Sequence, residues 1–520
     1  MKFKYTPLAI LIVLLTLVSC SKKEVEKKRP NILFIMADDH TSQAWGIYGG
    51  VLKDYVHNPN IERLADQGMV FDNAMCTNSI CVPSRASIMT GEYSNKNQVY
   101  MLRDRLDENR PNVAKLLHQN GYQTALIGKW HLKSKPSGFD YFNVLHDQGR
   151  YWDPILKSEK NWQEGPKGGE VIKGFSTDVI TDLTIDWLKN RDDKKPFMMM
   201  CHFKATHEPY DFPERYKDLY KDQEIPYPET LLDFDKKNTG RTYDGQTLEN
   251  LIWRWEKASE DPEKWWCKYP ELPFSTKGLD SIAARKKAYQ KLVKDFMRCG
   301  AAIDDNIGRL LDYLKEAGLD ENTVVIYTAD QGYFLGEHGF FDKRMIAEES
   351  LHMPFVIRYP KEIKGGTRNE DIILNVDIPA LFADYAQVKK PNWMQGESFR
   401  PLLKGEHPAT WRKSMYYRYW EHYPIRPGHL GVRNDRYKLA LYYGVPMDKD
   451  SKIKRTAPEW EFYDLKEDPK ELHNACQDAQ YQDIILEMKH EIVRLRNEVG
   501  DDDSERPWIK AVVEKELSNI

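Results

Sequence analysis

Beyond residue 18 the chain has no further long apolar run, which excludes a protein that crosses a membrane many times. It lacks a strong charge of one sign. Its 76 basic and 80 acidic residues leave a formal charge of −4, so no basic field exists to hold nucleic acid. Cysteine is sparse: seven in 520 residues, with no CxxC pair and no close-spaced framework, which argues against thiolate zinc and a disulfide scaffold. No internal repeat or low-complexity tract occurs. What is there is 41% hydrophobic and 30% charged, enough for a sizeable core, at a length that suits two packed domains or one domain with insertions. Aromatics are plentiful, with 14 Trp and 29 Tyr, as in carbohydrate clefts and also in bulky cores.

The one apolar run lies at the start. Lys2 and Lys4 precede residues 7–18, which are nearly all apolar and too few to span a bilayer comfortably. The run ends in Leu17-Val18-Ser19-Cys20, which resembles a bacterial lipoprotein signal. That reading makes residues 1–19 a signal peptide, Cys20 the lipidated mature N-terminus, and residues 20–29 a polar tether. An ordinary signal peptide cut nearby is the alternative. The expected location is exported: the bacterial periplasm, or the outer membrane or cell surface, held by acyl chains without crossing the bilayer. Of the remaining cysteines, Cys76, Cys201, Cys267 and Cys299 read as inert packing.

Folded sequence is expected from Pro30. Residues 31–37 form a short continuous apolar run, the pattern of a buried central strand, and stop at Asp38-Asp39-His40. Helices are predicted over 59–68, 112–120, 177–190, 280–317 and 482–499, and strands over 124–127, 197–203 and 323–328. Residues 208–279 are rich in Pro, Trp and Tyr with weak periodicity, and read as a long insertion that shapes access. Within it Trp253, Trp255, Trp265 and Trp266 read as core, with a sugar platform as the alternative. Alternating strands and helices predict an α/β fold with a mostly parallel sheet sandwiched by helices, over residues 30–390. Short strands at 414–419, 430–443 and 460–463 predict a smaller C-terminal α+β subdomain with an antiparallel sheet, over 391–520.

Two strand ends deliver acids, Asp38-Asp39 and Asp330-Gln331, at the edge where open parallel sheets bind ligands. Three carboxylates and an amide oxygen form a hard set that suits Ca2+ or Mg2+. Either pair alone is common in turns and caps. The segment Cys81-Val82-Pro83-Ser84-Arg85, followed by Ala86-Ser87-Ile88-Met89-Thr90-Gly91, gives the acids a setting. Further segments are Gly121-Tyr122-Gln123-Thr124-Ala125-Leu126-Ile127-Gly128-Lys129-Trp130-His131, Lys204-Ala205-Thr206-His207-Glu208-Pro209, and Gly336-Glu337-His338-Gly339 with Lys343. Together, over residues 30–474, these resemble the formylglycine-dependent sulfatases of the alkaline-phosphatase superfamily. Val82 stands where that family places a smaller residue. Gln331 replaces an Asn or His and keeps an amide oxygen.

The resemblance implies that Cys81 is oxidised to formylglycine by a formylglycine-generating or anaerobic sulfatase-maturating enzyme. One hydroxyl of the hydrated aldehyde attacks sulfur and the other later expels sulfate. It implies metal ligands Asp38, Asp39, Asp330, Gln331 and the modified Cys81, with Ca2+ expected and Mg2+ the alternative. Arg85 is expected near the new oxyanion, Lys129 on the formylglycine and sulfate, and His131 as acceptor of the remaining hydroxyl proton. Lys343 is expected on a sulfate oxygen, with His207 or Lys343 protonating the leaving alcohol. His40, His118, His338 and His352 read as structural or supporting. The runs 341–344, 416–422 and 429–433 resemble bacterial carbohydrate sulfatases related to N-acetylglucosamine-6-sulfatases. The expected substrate is a sugar O-sulfate such as 6-O-sulfated N-acetylglucosamine in glycosaminoglycan or mucin-type chains, with His422, His429 and Arg433 recognising the sugar. A phosphodiesterase or phosphonate monoester hydrolase on the same fold, and a non-catalytic glycan-binding lipoprotein, are the alternatives.

Overall fold

The computed structural model describes residues 29–233 and 245–518; the signal reading and Cys20 lie outside them. Strand Asn31–Asp38 is buried along its whole length. A run that is dry on both faces belongs inside a parallel sheet. It pairs in parallel with Phe197–Thr206 on one side and Thr323–Ala329 on the other. Gln123–Lys129 and Tyr141–Leu145 extend the parallel set beyond Phe197–Thr206. Antiparallel strands Ile155–Ser158 and Glu170–Val171 finish that side of the ten-stranded sheet. On the other side Phe355–Arg358 runs antiparallel to its neighbours, and Thr367–Asn369 forms the edge.

Alternate residues of the central strand feed two cores, as the period of two requires. Ile32, Phe34 and Met36 pack with the helices Cys81–Thr90, Val113–Gln119 and Ile378–Tyr385. Leu33, Ile35 and Ala37 pack with Pro59–Asp66, Ser176–Asn190 and the 36-residue helix Ser281–Glu316. The sheet is therefore covered on both faces, the α/β sandwich expected. The insertion builds its own core: Leu248, Leu251 and Trp255 of helix Leu248–Glu260 pack on Tyr289, Leu292 and Phe296 of the long helix.

A four-stranded antiparallel sheet follows, in chain order Ser414–Tyr419, His429–Asn434, Tyr437–Tyr442 and Glu459–Asp464. Helices Gln482–Val499 and Pro507–Ser518 close its core. The segment read as 430–443 is two strands. The Asn434 side chain accepts from the backbone N–H of Arg436 and Tyr437, at 3.0 and 2.7 Å, and turns the chain there. No helix among the described residues is long and apolar enough to cross a membrane.

Candidate active site

The central strand and its neighbour end side by side, so their terminal acids meet. Asp38, Asp39 and Asp330 offer oxygens within 4.8 Å of one another, all buried. The Asp39 N–H donates to Asp330 Oδ1 at 3.1 Å, which fixes one acid against the next. Cys81 opens helix Cys81–Thr90, all ten residues of which are buried. Its Sγ lies 3.6 Å from Asp39 Oδ1, at the positive end of the helix. Gln331 Nε2 donates to Asp39 and lies 3.8 Å from Cys81 Sγ, while Gln331 Oε1 is buried with no partner. Converging carboxylates beside an orphaned amide oxygen are a donor set that fits a hard divalent cation.

Cations interleave with the acids. Lys129 Nζ pairs with Asp38 and also donates to Gln148 Oε1 at 2.6 Å; Lys343 Nζ pairs with Asp39. Burial alone would raise the Asp38 carboxyl, but Lys129, His207, Arg85 and Lys343 hold it well below the ordinary range. Asp330 goes the other way. Burial pushes it to about 7, with Asp38 and Asp39 adding repulsion that Arg85 only partly offsets. Arg85, expected near the new oxyanion, is within electrostatic reach of Cys81. Its Nε donates to Asp330 Oδ2 at 2.8 Å, one Nη to the Lys129 carbonyl at 2.8 Å and the other to Asp38 Oδ1 at 3.4 Å. The guanidinium is committed to the protein and clamps the acids in register.

Two histidines flank the cluster. His207 Nε2 is 3.8 Å from Asp39 Oδ2, and its Nδ1 donates to the Glu208 carbonyl at 2.8 Å, which leaves Nε2 as an acceptor. Burial first, then Lys129, holds its imidazole well below the ordinary value. His131 Nε2 faces Asp147 Oδ1 at 3.4 Å and its Nδ1 is buried without a partner. Burial, then Lys129, brings His131 down to about 4. Both rings are neutral near pH 7.

Several neighbours lie in the quoted segments but had no role of their own from the sequence. Lys204 is buried behind the cluster over the Tyr151 ring, 4.8 Å from its centroid; burial, then Lys129, lowers its ammonium to about 8. Arg344 and Asp342 form an ion pair beside Lys343, and the charges nearest Arg344 include Arg426, Glu421 and Cys81. Arg344 thus lies within electrostatic reach of the thiol. Asp39, His131, Asp342 and Arg344 have φ of 64°, 59°, 77° and 93°, so the site is built on backbone that side chains disfavour.

The three residues assigned to sugar recognition are placed otherwise. His429 is fully buried, its ring stacked on Tyr417 and Tyr442 with Nδ1 donating to the Pro427 carbonyl at 2.9 Å. His422 is buried against the Lys454 carbonyl at 2.9 Å, and Arg433 pairs with Glu348 at 3.0 Å. All three hold protein to protein.

A family model described as Sulfatase matches residues 30–388, and one described as N-sulphoglucosamine sulphohydrolase, C-terminal, matches residues 336–498. The N-acetylglucosamine-6-O-sulfatase of Bacteroides thetaiotaomicron is 38% identical, over 97% of this chain and 93% of its own. The N-acetylglucosamine-6-sulfatase of Homo sapiens is 26% identical over 75% and 67%. A solved structure of a protein in complex with its substrate D-glucosamine-2-N,6-O-disulfate superposes with TM-score 0.83 at 36% identity, covering 92% of this chain and 100% of that one. The phosphonate monoester hydrolase of Agrobacterium radiobacter, with TM-score 0.68 at 20% identity over 91% and 96%, shares the fold. A family model that spans the whole large sheet, together with a relative matched nearly end to end, leads to one assignment: the chain belongs to the sulfatase family and is a sulfuric ester hydrolase.

Proposed function

We propose that this sulfatase removes an O-sulfate from a carbohydrate, with 6-O-sulfated N-acetylglucosamine in glycosaminoglycan or mucin-type chains as the preferred unit. The observation that carries the reading is the 38% identity with an N-acetylglucosamine-6-O-sulfatase over 97% of this chain. The site supports it electrostatically. Arg85, Lys129, Lys204 and Lys343 surround Asp38, Asp39 and Asp330, so the pocket favours an anion, and a divalent ion would strengthen that bias. The family works through a formylglycine and a divalent metal. Here Cys81 is the residue to be converted, and Asp38, Asp39, Asp330 and Gln331 with the converted Cys81 would hold Ca2+. The hydrated aldehyde would supply the nucleophile, and a bound divalent metal would supply Lewis-acid polarisation.

The chain's own residues do the rest. Lys129 and Lys343 are fixed ammonium groups for the sulfate oxygens. His131, neutral and with Nδ1 unpartnered, accepts the remaining hydroxyl proton. The proton for the leaving alcohol comes from Lys343, or from His207 once a bound anion has drawn a second proton onto its Nε2. Arg85 acts through the acids it clamps. Residues 1–29 would export the enzyme and tether it through lipid on Cys20.

The test is desulfation of defined mono- and disaccharides carrying sulfate at single positions, with a phosphate diester in parallel. The reading expects the 6-O-sulfated N-acetylglucosamine unit to be fastest. A higher kcat/KM on the diester would assign the chain to the phosphonate and phosphodiester chemistry of its fold.

A further inference from the structure

The tryptophans of the insertion are of two kinds. Trp255 is fully buried, as a core residue should be, whereas Trp253 and Trp266 keep 53% and 62% of their surface in water. Trp253 stands edge to face with Trp265, ring centroids 5.7 Å apart, and Trp266 lies near Tyr269 at 6.5 Å. Leaving a large apolar side chain exposed forgoes the stabilisation of its burial. A single exposed ring needs no explanation; adjoining ones do.

The ring group is fastened to the catalytic loops at three points. Just before helix Leu248–Glu260, Thr247 bridges Phe340, and the Phe341 N–H donates to the Gln246 carbonyl at 2.8 Å. Gln246 also donates to the Lys343 carbonyl. Arg254, next to Trp253, donates to Glu208 Oε2 at 2.7 Å and lies over the Phe341 ring at 5.1 Å. Tyr269, beside Trp266, donates to Glu208 as well. Glu208 follows His207, and Phe341 lies two residues before Lys343. The exposed indoles therefore sit on segments fastened to the loops that carry the two residues assigned to the leaving alcohol. That alcohol remains attached to the rest of the glycan.

We infer that Trp253 and Trp266, with Trp265 edge to face against Trp253, form an accessory ledge that stacks a non-sulfated sugar ring of the same glycan. The inference rests on the carbohydrate reading above and adds a second contact region to it. An indole offers a broad apolar face to the C–H face of a pyranose, and the paired Arg254 and Glu208 offer hydrogen bonds to its hydroxyls. A protein partner would need a far larger continuous patch. Here Glu263, Lys264 and Lys268 are exposed around the rings and break the apolar surface.

The experiment compares wild type with Trp253→Ala, Trp266→Ala and the double variant. Substrates are 6-O-sulfated N-acetylglucosamine and tetrasaccharides ending in it, on N-acetyllactosamine and heparosan backbones. Wild type should prefer at least one tetrasaccharide about tenfold through KM, and the double variant should lose that preference with kcat unchanged and the monosaccharide within twofold. Equal loss on short and long substrates, or no preference in wild type, overturns the ledge. In parallel, tryptophan fluorescence of the Cys81→Ala protein is titrated with the unsulfated tetrasaccharides. A response abolished by the double substitution, in a wild type that desulfates nothing, keeps the ledge and removes the activity reading. Desulfation that is indifferent to both tryptophans keeps the activity and removes the ledge.

Discussion

Cys81 shows how much one side chain depends on its neighbours. Burial, opposed by Lys343, pushes its thiol well above the ordinary value, so the unconverted side chain is a protonated thiol and a poor nucleophile. Activity should therefore track the fraction of Cys81 converted, measured by peptide mass spectrometry against sulfate release on the same preparations. Cys81→Ala and Cys81→Ser should each lose about a thousandfold or more in kcat with an unchanged circular dichroism spectrum. Rapid repeated turnover by either variant would rule out the assignment. At this scale the sequence was informative where spacing carries meaning: the Cys81 segment and both acid pairs meet in space as expected. It was silent on where side chains point. Arg85 turned to the acids and His429 into a stack of tyrosines because tertiary packing, not local spacing, sets orientation. The left-handed backbone at Asp39, His131, Asp342 and Arg344 likewise leaves no mark in residue type.

Two elements make predictions of their own. Gly128 precedes Lys129, the last residue of the strand Gln123–Lys129, with φ of 103°, and a Cβ there would lie 1.9 Å from the His202 carbonyl oxygen of the next strand. Gly128→Ala should destabilise the protein by about 3 kcal/mol and displace Lys129, read as a lower denaturation midpoint together with lost activity. In the antiparallel sheet, burial lowers His429 from 6.5 to about 4. The unfolded chain then binds the extra proton first as pH falls, so this contribution to stability is intact above pH 6.5 and drains away towards pH 4. The loss reaches about 3 kcal/mol. His429→Phe should flatten the wild-type slope of melting temperature over that window; an identical slope would contradict it. Long apolar runs announced the central strands because burial on both faces needs them. Helix Cys81–Thr90 gave no such signal: wholly buried, it has no polar face and so no stripe. The fused reading of 430–443 failed at a turn made by one asparagine.

For the whole molecule, three carboxylates gathered at one sheet edge create a dependence on the ion that would balance them. Chelation should lower both activity and the melting temperature. Ca2+ should restore both, adding about 2.7 kcal/mol at a hundredfold excess over its dissociation constant. Asp38→Asn should weaken calcium affinity about tenfold or more by calorimetry; insensitivity to prolonged chelation would remove the ion from the scheme. The Tyr417 hydroxyl of the C-terminal sheet donates to the Arg344 carbonyl at 2.7 Å, so the C-terminal part braces the loop beside Cys81. That thiol is only 1% exposed, at the foot of a helix with no accessible residue. The conversion proposed for Cys81 would then be expected on an extended chain, before the strands close over it. Timing then becomes part of the enzyme's inheritance: a copy that folds too early is sealed shut with the wrong atom inside, and no later treatment short of unfolding can mend it.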